Sequence, residues 1–254
     1  KADFVEIGFR SVKNEGFKGG FAFSTDQFLR TLPIPPDLLD KIGVMVNGSE
    51  LLLNQAGTAS CEQKVRHLEH VLSSLFVSKA QSPVSLVRIA CHAHEFEDCL
   101  PAANWLKDKG YLVGFNLMQI AERTHEEITL LAKKASEYSF DVLYFADSMG
   151  SLSPKGVSAI IRAFRVGWKG QLGIHTHDNM GQAIANSLQA SQDGVSWIDS
   201  TVTGMGRGPG NAQTEYLAMA IESSRLNKGS LTKLFELIPN HFKALQAQYG
   251  WGTN

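Results

Sequence analysis

The stretch His175-Thr176-His177-Asp178-Asn179 holds the residues of this sequence that are best suited to chemistry. It follows a short apolar run typical of a β-strand, and histidines two positions apart on a strand place both imidazoles on one face. Imidazole nitrogens ligate divalent metals, and the C-terminal ends of barrel strands are where such sites are built. We therefore expect His175 and His177 to bind a metal, the alternative being a pair that only caps the strand. Because histidine ligates a metal only when neutral, binding should weaken below about pH 6.

A glycine-rich loop follows the next predicted strand, with the sequence GMGRGPGN at residues 204–211. Asn211 offers an amide oxygen as a further metal ligand, but asparagine is also a good N-cap, here for a helix running from Ala212. The glycines, Gly206 among them, allow the backbone to approach a ligand carboxylate. A dinucleotide-binding motif is excluded, because that motif belongs in a first βα turn followed by an acid about twenty residues on.

Other polar residues near predicted strand ends are candidates for the same site. A glutamate in a barrel mouth is costly unless it is paired, and Arg88 is the candidate partner of Glu6. We expect catalytic roles for Glu6, His92 and Asp147 and substrate contacts from Arg88, Asn116, Thr203 and Gly206.

Two of these candidates have plain alternatives. His92 and His94 form a second His-x-His pair, for which a substrate contact or proton carrier at His92 is favoured over a second metal. Asp147 either binds substrate or orients a water, or it simply forms the turn before Met149 and Gly150.

Short β-rich runs alternate with helical stretches along the chain. Thr124 to Glu127 has the pattern of a capping box, and Ser153-Pro154 that of an N-cap followed by proline at the first helical position. Met180, Ile184 and Leu188, at i, i+4 and i+8, predict a helix face turned inward. The predicted strands are 4–9, 42–46, 85–91, 112–117, 142–146, 172–176 and 198–202.

This alternation predicts an α/β fold, a TIM (β/α)8-type barrel of which seven βα units are visible and the first is missing upstream. An open doubly wound sheet is the alternative, but it would concentrate polar residues at one switch point, whereas here they end many strands. We expect one domain over residues 1–254, with a C-terminal helical segment at about 230–254 that continues further.

Composition excludes several classes of function. The chain has 254 residues, 43% of them hydrophobic, and a formal net charge of −1 without a dense Lys/Arg run. Nucleic acids and membranes are therefore not expected as partners. The three cysteines are an odd number without C-x-x-C spacing, which favours reduced thiols and a cytoplasmic location.

In combination, the motifs resemble those of the DRE-TIM metallolyase (HMG-CoA lyase-like) superfamily. The resemblance rests on residues 173–179 (GIHTHDN), 185–187 (ANS), 199–200 (DS) and 204–212 (GMGRGPGNA). Residues 87–92 (VRIACH) and 146–150 (ADSMG) are most similar to the 4-hydroxy-2-oxovalerate aldolase branch. The similarity extends from residue 4 to about residue 222.

One departure from that family is the absence of its Arg-Asp motif, which ends the first strand and supplies a metal-ligating aspartate and an enolate-stabilising arginine. We expect that the chain begins after this motif. The alternative is a degenerate barrel that lacks it.

The resemblance implies a metal-dependent aldolase or lyase that forms or cleaves a carbon–carbon bond beside a 2-oxo acid carbonyl. It implies His175, His177 and Asn211 as metal ligands, and Glu6 as a residue supporting the metal site. Nitrogen and oxygen ligands favour Mn²⁺ or Mg²⁺. The expected partners are pyruvate and an aldehyde, with a homo-oligomer or a partner dehydrogenase as further expectations. A Claisen-type acyltransferase and a non-catalytic barrel that binds a small acid remain alternatives.

Overall fold

The computed structural model of the protein describes residues 2–12, 16, 19–53, 59–221 and 228–252. Within them it contains seven β-strands: β1 Val5–Phe9, β2 Ile42–Asn47, β3 Leu86–His92, β4 Leu112–Met118, β5 Val142–Asp147, β6 Gln171–Thr176 and β7 Trp197–Ile198. The bounds of the first six agree with the predicted strands to within one residue at each end. Pairings with a described register are parallel, between β1 and β2, β2 and β3, and β6 and β7.

Eleven α-helices in the same residues connect and follow these strands. They are α1 Asp26–Thr31, α2 Gly48–Leu51, α3 Cys61–Leu75, α4 Phe96–Cys99, α5 Pro101–Asp108, α6 His125–Ala135, α7 Pro154–Gly167, α8 Ala183–Gln192, α9 Thr214–Ala220, α10 Lys228–Leu237 and α11 Lys243–Tyr249. A π-helical turn, Ile238–Phe242, joins the last two. None of the described helices combines the length and apolar character needed to cross a membrane.

The predicted helix starts are confirmed. The Thr124 hydroxyl accepts a hydrogen bond from the Glu127 amide at 3.2 Å, and the Glu127 carboxylate accepts one from the Thr124 amide at 2.7 Å. This reciprocal pair satisfies two donors that a helix start leaves open. At α7 the Ser153 hydroxyl accepts from the Gly156 amide at 3.2 Å, with Pro154 at the first helical position.

The chain divides into two compact units. The N-terminal unit comprises Ala2–Leu117 and Lys133–Leu143, and the C-terminal unit comprises Met118–Ala132 and Tyr144–Asn254. In the N-terminal unit the strands follow the sheet order β1-β2-β3-β4, and in the C-terminal unit the order β5-β6-β7. The prediction of a single domain remains a prediction.

The seventh predicted strand, 198–202, is wrong in its extent, because β7 ends at Ile198. Beyond it, the backbone turns to a different partner. The Thr201 amide donates to the Ala212 carbonyl, and the Thr201 carbonyl accepts from the Thr214 amide at 2.9 Å. Alternating β-branched residues indicate an extended chain but do not indicate which segment it pairs with.

The inward face predicted for α8 is only partly right, because Ile184 and Leu188 are half-buried whereas Met180 lies outside the helix. Met180 precedes the helix and is 64% exposed, and the buried residues of α8 are Ala183, Asn186, Ser187 and Ala190. The Ser187 hydroxyl lies 3.1 Å from that of Thr176 on β6, and the Asn186 amide donates to the Leu152 carbonyl at 2.8 Å. Small side chains let the helix lie close to the strand, and hydrogen bonds offset the cost of burying the polar ones.

Candidate functional site

The two histidines at the end of β6 lie close together in the C-terminal unit. Their ring centroids are 5.1 Å apart and the ring planes are inclined by 77°. His175 belongs to β6, and His177 follows it and forms an isolated antiparallel bridge with Asn211. The structure therefore brings together the three residues that the sequence predicts as metal ligands.

Asp199 orients the first histidine. The His175 Nδ1 atom lies 2.9 Å from a carboxylate oxygen of Asp199, directly after β7. A carboxylate at this distance fixes the tautomer with the proton on Nδ1, so that Nε2 keeps a lone pair for a metal. Sequence reasoning did not give Asp199 this role, because the predicted strand 198–202 placed Asp199 within the strand rather than after it.

His177 is held in its neutral form. Burial is the largest cause that lowers its pKa from 6.5 to about 4, followed by electrostatic interactions with His175 and Arg207. Its Nδ1 atom is buried and has no hydrogen-bond partner among the described residues. A neutral ring with an unpartnered buried nitrogen suits a metal ligand, because a proton would otherwise compete for the lone pair.

We predict that His177 of the metal-free protein stays neutral until the pH falls to about 4. Since the unfolded chain takes up this proton near pH 6.5, the free energy of unfolding should fall as pH is lowered from about 6.5 to about 4. NMR titration of the imidazole and urea unfolding of the wild type and His177→Asn would measure both effects. A His177 resonance that titrates near pH 6.5 would contradict the prediction.

Asn211 presents its side-chain oxygen from the glycine loop. Its amide nitrogen donates to the Met205 carbonyl at 3.1 Å, while its Oδ1 atom is buried without a partner among the described residues. The N-cap alternative is wrong, because α9 begins at Thr214 and Gln213 precedes it as the cap residue. An orphaned buried acceptor is costly unless a ligand satisfies it.

The glycine loop is shaped around that asparagine. A Cβ atom on Gly206 would lie 2.6 Å from the Asn211 amide nitrogen, so only glycine fits there without displacing the side chain. Thr203 has a φ of 55°, which is rare for a β-branched residue. Its amide donates to the Glu215 carboxylate at 3.0 Å and its carbonyl accepts from the Trp251 indole at 3.1 Å. Such strain persists only where the surroundings impose it, and it clusters at functional sites.

Asp147 is fully buried at the end of β5. One of its carboxylate oxygens accepts the Ser151 amide at 3.0 Å and the other accepts the Leu152 amide at 3.1 Å. Burial raises the pKa of this carboxyl group, and these backbone amides act in the opposite direction. Both oxygens thus have bonds within the turn, the geometry of the turn-forming alternative.

The N-terminal unit contains the predicted pair of Glu6 and Arg88. The Arg88 guanidinium contacts the Glu6 carboxylate at 2.7 and 3.1 Å, and the side chains are 5% and 28% exposed respectively. In the same unit the Asn116 side-chain oxygen is buried without a partner among the described residues. The Asn116 oxygen is therefore an open acceptor, whereas the Glu6 carboxylate is engaged by Arg88.

The second His-x-His pair has a different geometry. The rings of His92 and His94 are stacked with centroids 5.6 Å apart, and the side chain of His94 is 79% exposed. The backbone amide of His92 donates to the Glu95 carboxylate at 2.8 Å.

In the described part of the chain, no three His, Cys, Asp or Glu residues form a metal-binding group. The donor set that remains is two imidazoles and the Asn211 oxygen, and its two orphaned buried atoms fit a divalent cation.

The chain is similar in sequence to one protein family and to curated aldolases. The family model described as HMGL-like matches residues 40–238. A 4-hydroxy-2-oxovalerate aldolase of Nocardia farcinica is 35% identical over 158 residues, 62% of this chain and 45% of that protein. One from Geobacillus thermodenitrificans is 36% identical over 160 residues, 62% of this chain and 46% of that protein. The chain thus spans less than half the length of the curated relatives that it matches.

Solved structures are similar over more of the chain. The N-terminal domain of a candidate aldolase from Bacteroides vulgatus has a TM-score of 0.77 and 26% identity, covering 99% of this chain and 78% of that one. An HMG-CoA lyase of Bacillus subtilis has a TM-score of 0.64 and 16% identity, covering 91% and 76%. The second likeness bears on fold alone, and it confirms the predicted α/β fold of TIM-barrel type.

Proposed function

The chain belongs to the HMGL-like family, and from that premise we propose that the complete protein is a divalent-metal-dependent aldolase acting on a 2-oxo acid. The observation that carries the proposal is that His175, His177 and Asn211 lie close together. Each has an atom available to a cation: Nε2 of His175, Nδ1 of His177 and Oδ1 of Asn211. The aldolases among its relatives support the reaction class. Because those relatives are more than twice as long as the matched region, the proposal concerns the whole protein.

Three residues of this chain would bind the cation, and a fourth would position one of them. Two imidazoles and an amide oxygen leave further coordination positions open, and such nitrogen and oxygen donors favour Mn²⁺ or Mg²⁺ over thiophilic metals. Asp199 positions the His175 ring, as outer carboxylates commonly do for ligating histidines. When bound, the cation would supply Lewis acidity, which stabilises the negative charge that develops on the ketone oxygen as the 2-oxo acid enolises.

The other predicted residues are assigned by what they contact. We propose that Arg88, held by Glu6, and Asn116, with its open oxygen, contact the substrate, and that His92 carries a proton. Thr203 and Gly206 act by shaping the loop that presents Asn211. For Asp147, whose two oxygens are engaged by turn amides, we propose that it fixes the turn rather than exchanging a proton.

Location and partners follow from the same proposal. The described cysteines, Cys61, Cys91 and Cys99, are free thiols, which supports a cytoplasmic location. Pyruvate and an aldehyde are the proposed small-molecule partners. Self-association or association with a dehydrogenase would be tested by sizing the complete protein.

Pyruvate should exchange its methyl protons with solvent in the presence of the complete, Mn²⁺-loaded protein, even without an aldehyde. The reason is that enolisation precedes formation of the carbon–carbon bond. Deuterium uptake followed by NMR should depend on metal and fall at least about tenfold in His175→Ala, which loses a ligand. His125→Ala, which removes an exposed histidine of the same unit, is the matched control.

Exchange no faster than in buffer, with pyruvate and with a small panel of 2-oxo acids, would refute the aldolase proposal. A barrel that binds a small acid without catalysis would then be favoured. Release of free thiol from acetyl-CoA in the presence of a 2-oxo acid would instead identify the acyltransferase alternative.

A further inference from the structure

Arg207 projects from the glycine loop of the C-terminal unit, four residues before Asn211. Its side chain is exposed, and its guanidinium donates a hydrogen bond to the backbone carbonyl of Ser148, in the turn after β5. That contact fixes the direction of the side chain while using only one of its five N–H donors. The remaining donors are available to a ligand.

The charge of Arg207 has no carboxylate partner in the described ranges. Some other arginines in those ranges form ion pairs, such as Arg10 with Asp26 at 2.6 Å and Arg88 with Glu6 at 2.7 Å. The loop that bears Arg207 also contacts the proposed metal site, because its Asn211 forms a bridge with His177 and its Gly210 carbonyl accepts a hydrogen bond from the Asp178 amide. An unneutralised arginine beside such a site favours an anionic ligand.

The loops around Arg207 present apolar side chains. Met149, Met180 and Met205 stand in the loops after β5, β6 and β7, and all three are exposed. Hydrogen bonds connect these loops, from the Met180 amide to the Gly150 carbonyl at 3.2 Å and from the Asp178 amide to the Gly210 carbonyl at 2.9 Å. Methionine is unbranched and polarisable, and it adapts to the shape of an aliphatic ligand.

We propose that the aldehyde used by this protein carries an anionic group, a carboxylate or a phosphate, and that Arg207 binds that group. The carbon chain between the aldehyde and the anion lies along the exposed methionines. This inference rests on the proposed aldolase function and names the class of its second substrate. It makes Arg207 a specificity-determining residue.

The reaction is balanced without any further reactant. The methyl carbon of the 2-oxo acid loses a proton, and the resulting enolate carbon forms a bond to the carbonyl carbon of the aldehyde. The electron pair of the aldehyde C=O bond passes to its oxygen, which takes up one proton. The product is a 4-hydroxy-2-oxo acid whose far end bears the anion, and the reverse steps cleave it.

The test compares matched aldehydes with the complete, metal-loaded protein. Succinic semialdehyde is paired with butanal, and glyceraldehyde 3-phosphate with glyceraldehyde, so that the arms separate carboxylate from phosphate. We expect wild-type kcat/KM to favour at least one anionic member, and Arg207→Gln to reduce that preference by about tenfold to a hundredfold. Arg207→Lys should lie between, because it keeps the charge but loses the planar fork. Arg162→Gln, at an exposed arginine of α7, is the control.

Two outcomes would overturn the inference. One is a wild-type protein that favours neither anionic aldehyde, and the other is an Arg207→Gln protein that loses activity with anionic and neutral aldehydes by the same factor. The exchange of pyruvate methyl protons, which needs no aldehyde, separates the two levels. Exchange without any effect of Arg207 on preference refutes this inference alone, whereas absence of exchange refutes the proposed function and this inference with it.

Discussion

Replacing His177 with alanine in the complete protein is expected to weaken Mn²⁺ binding by more than about a hundredfold. Loss of an outer hydrogen bond to a ligand already costs about tenfold to a hundredfold, and this change removes a ligand itself. The ring is preorganised by burial, with a pKa lowered to about 4 and an unpartnered Nδ1 atom. Mn²⁺ titration followed by electron paramagnetic resonance measures the free and bound ion directly.

A graded series makes the assignment sharper. Asp199→Asn retains both histidines but replaces the carboxylate that holds His175 at 2.9 Å, so its Mn²⁺ affinity should fall by about tenfold to a hundredfold. His94→Ala removes a histidine of the other His-x-His pair, whose side chain is 79% exposed, and should bind Mn²⁺ as the wild type does. Equal affinity in His177→Ala and the wild type would remove the metal site from β6.

Local periodicity explains what the sequence predicted well. A strand alternates its side chains with period two, so the proximity of His175 and His177 needed only the correct extent of β6. Six strands were placed to within one residue because apolar, β-branched runs are bounded by turn residues or helix caps. The pairing of Glu6 with Arg88 was predicted from the cost of burying an isolated charge, which holds in any fold of this type.

Interactions between distant segments explain what the sequence could not give. Asp199 contacts His175 from 24 residues away, and nothing in its immediate neighbours indicates that contact. The predicted extent of β7 was wrong for the same reason, since Thr201 pairs with Gln213 in a distant segment. For α8, hydrophobic periodicity predicted that large apolar residues would be buried. In the structure the helix packs closely on β6, so its buried residues are alanines, a serine and a hydrogen-bonded asparagine.

Alanine substitutions at two glycines of the 204–211 loop distinguish two effects. One is displacement of the Asn211 side chain, and the other is strain in the loop backbone. Gly206→Ala is expected to weaken Mn²⁺ binding by about tenfold to a hundredfold, because its Cβ would lie 2.6 Å from the Asn211 amide nitrogen and displace the side chain. The φ of Gly206 is outside the positive region, so alanine costs little backbone energy there. Mn²⁺ titration of the complete protein and chemical unfolding measure the two effects separately.

Gly208→Ala should show the reverse pattern. Gly208 has a φ of 57°, and a Cβ there would meet nothing within 4 Å. Alanine in this left-handed conformation costs about 1–2 kcal/mol, while the Asn211 side chain stays in place. We therefore expect lower stability with nearly unchanged Mn²⁺ affinity.

If instead Gly206→Ala raises only the KM for pyruvate and leaves Mn²⁺ binding intact, then Asn211 is not a metal ligand and this loop contacts the substrate.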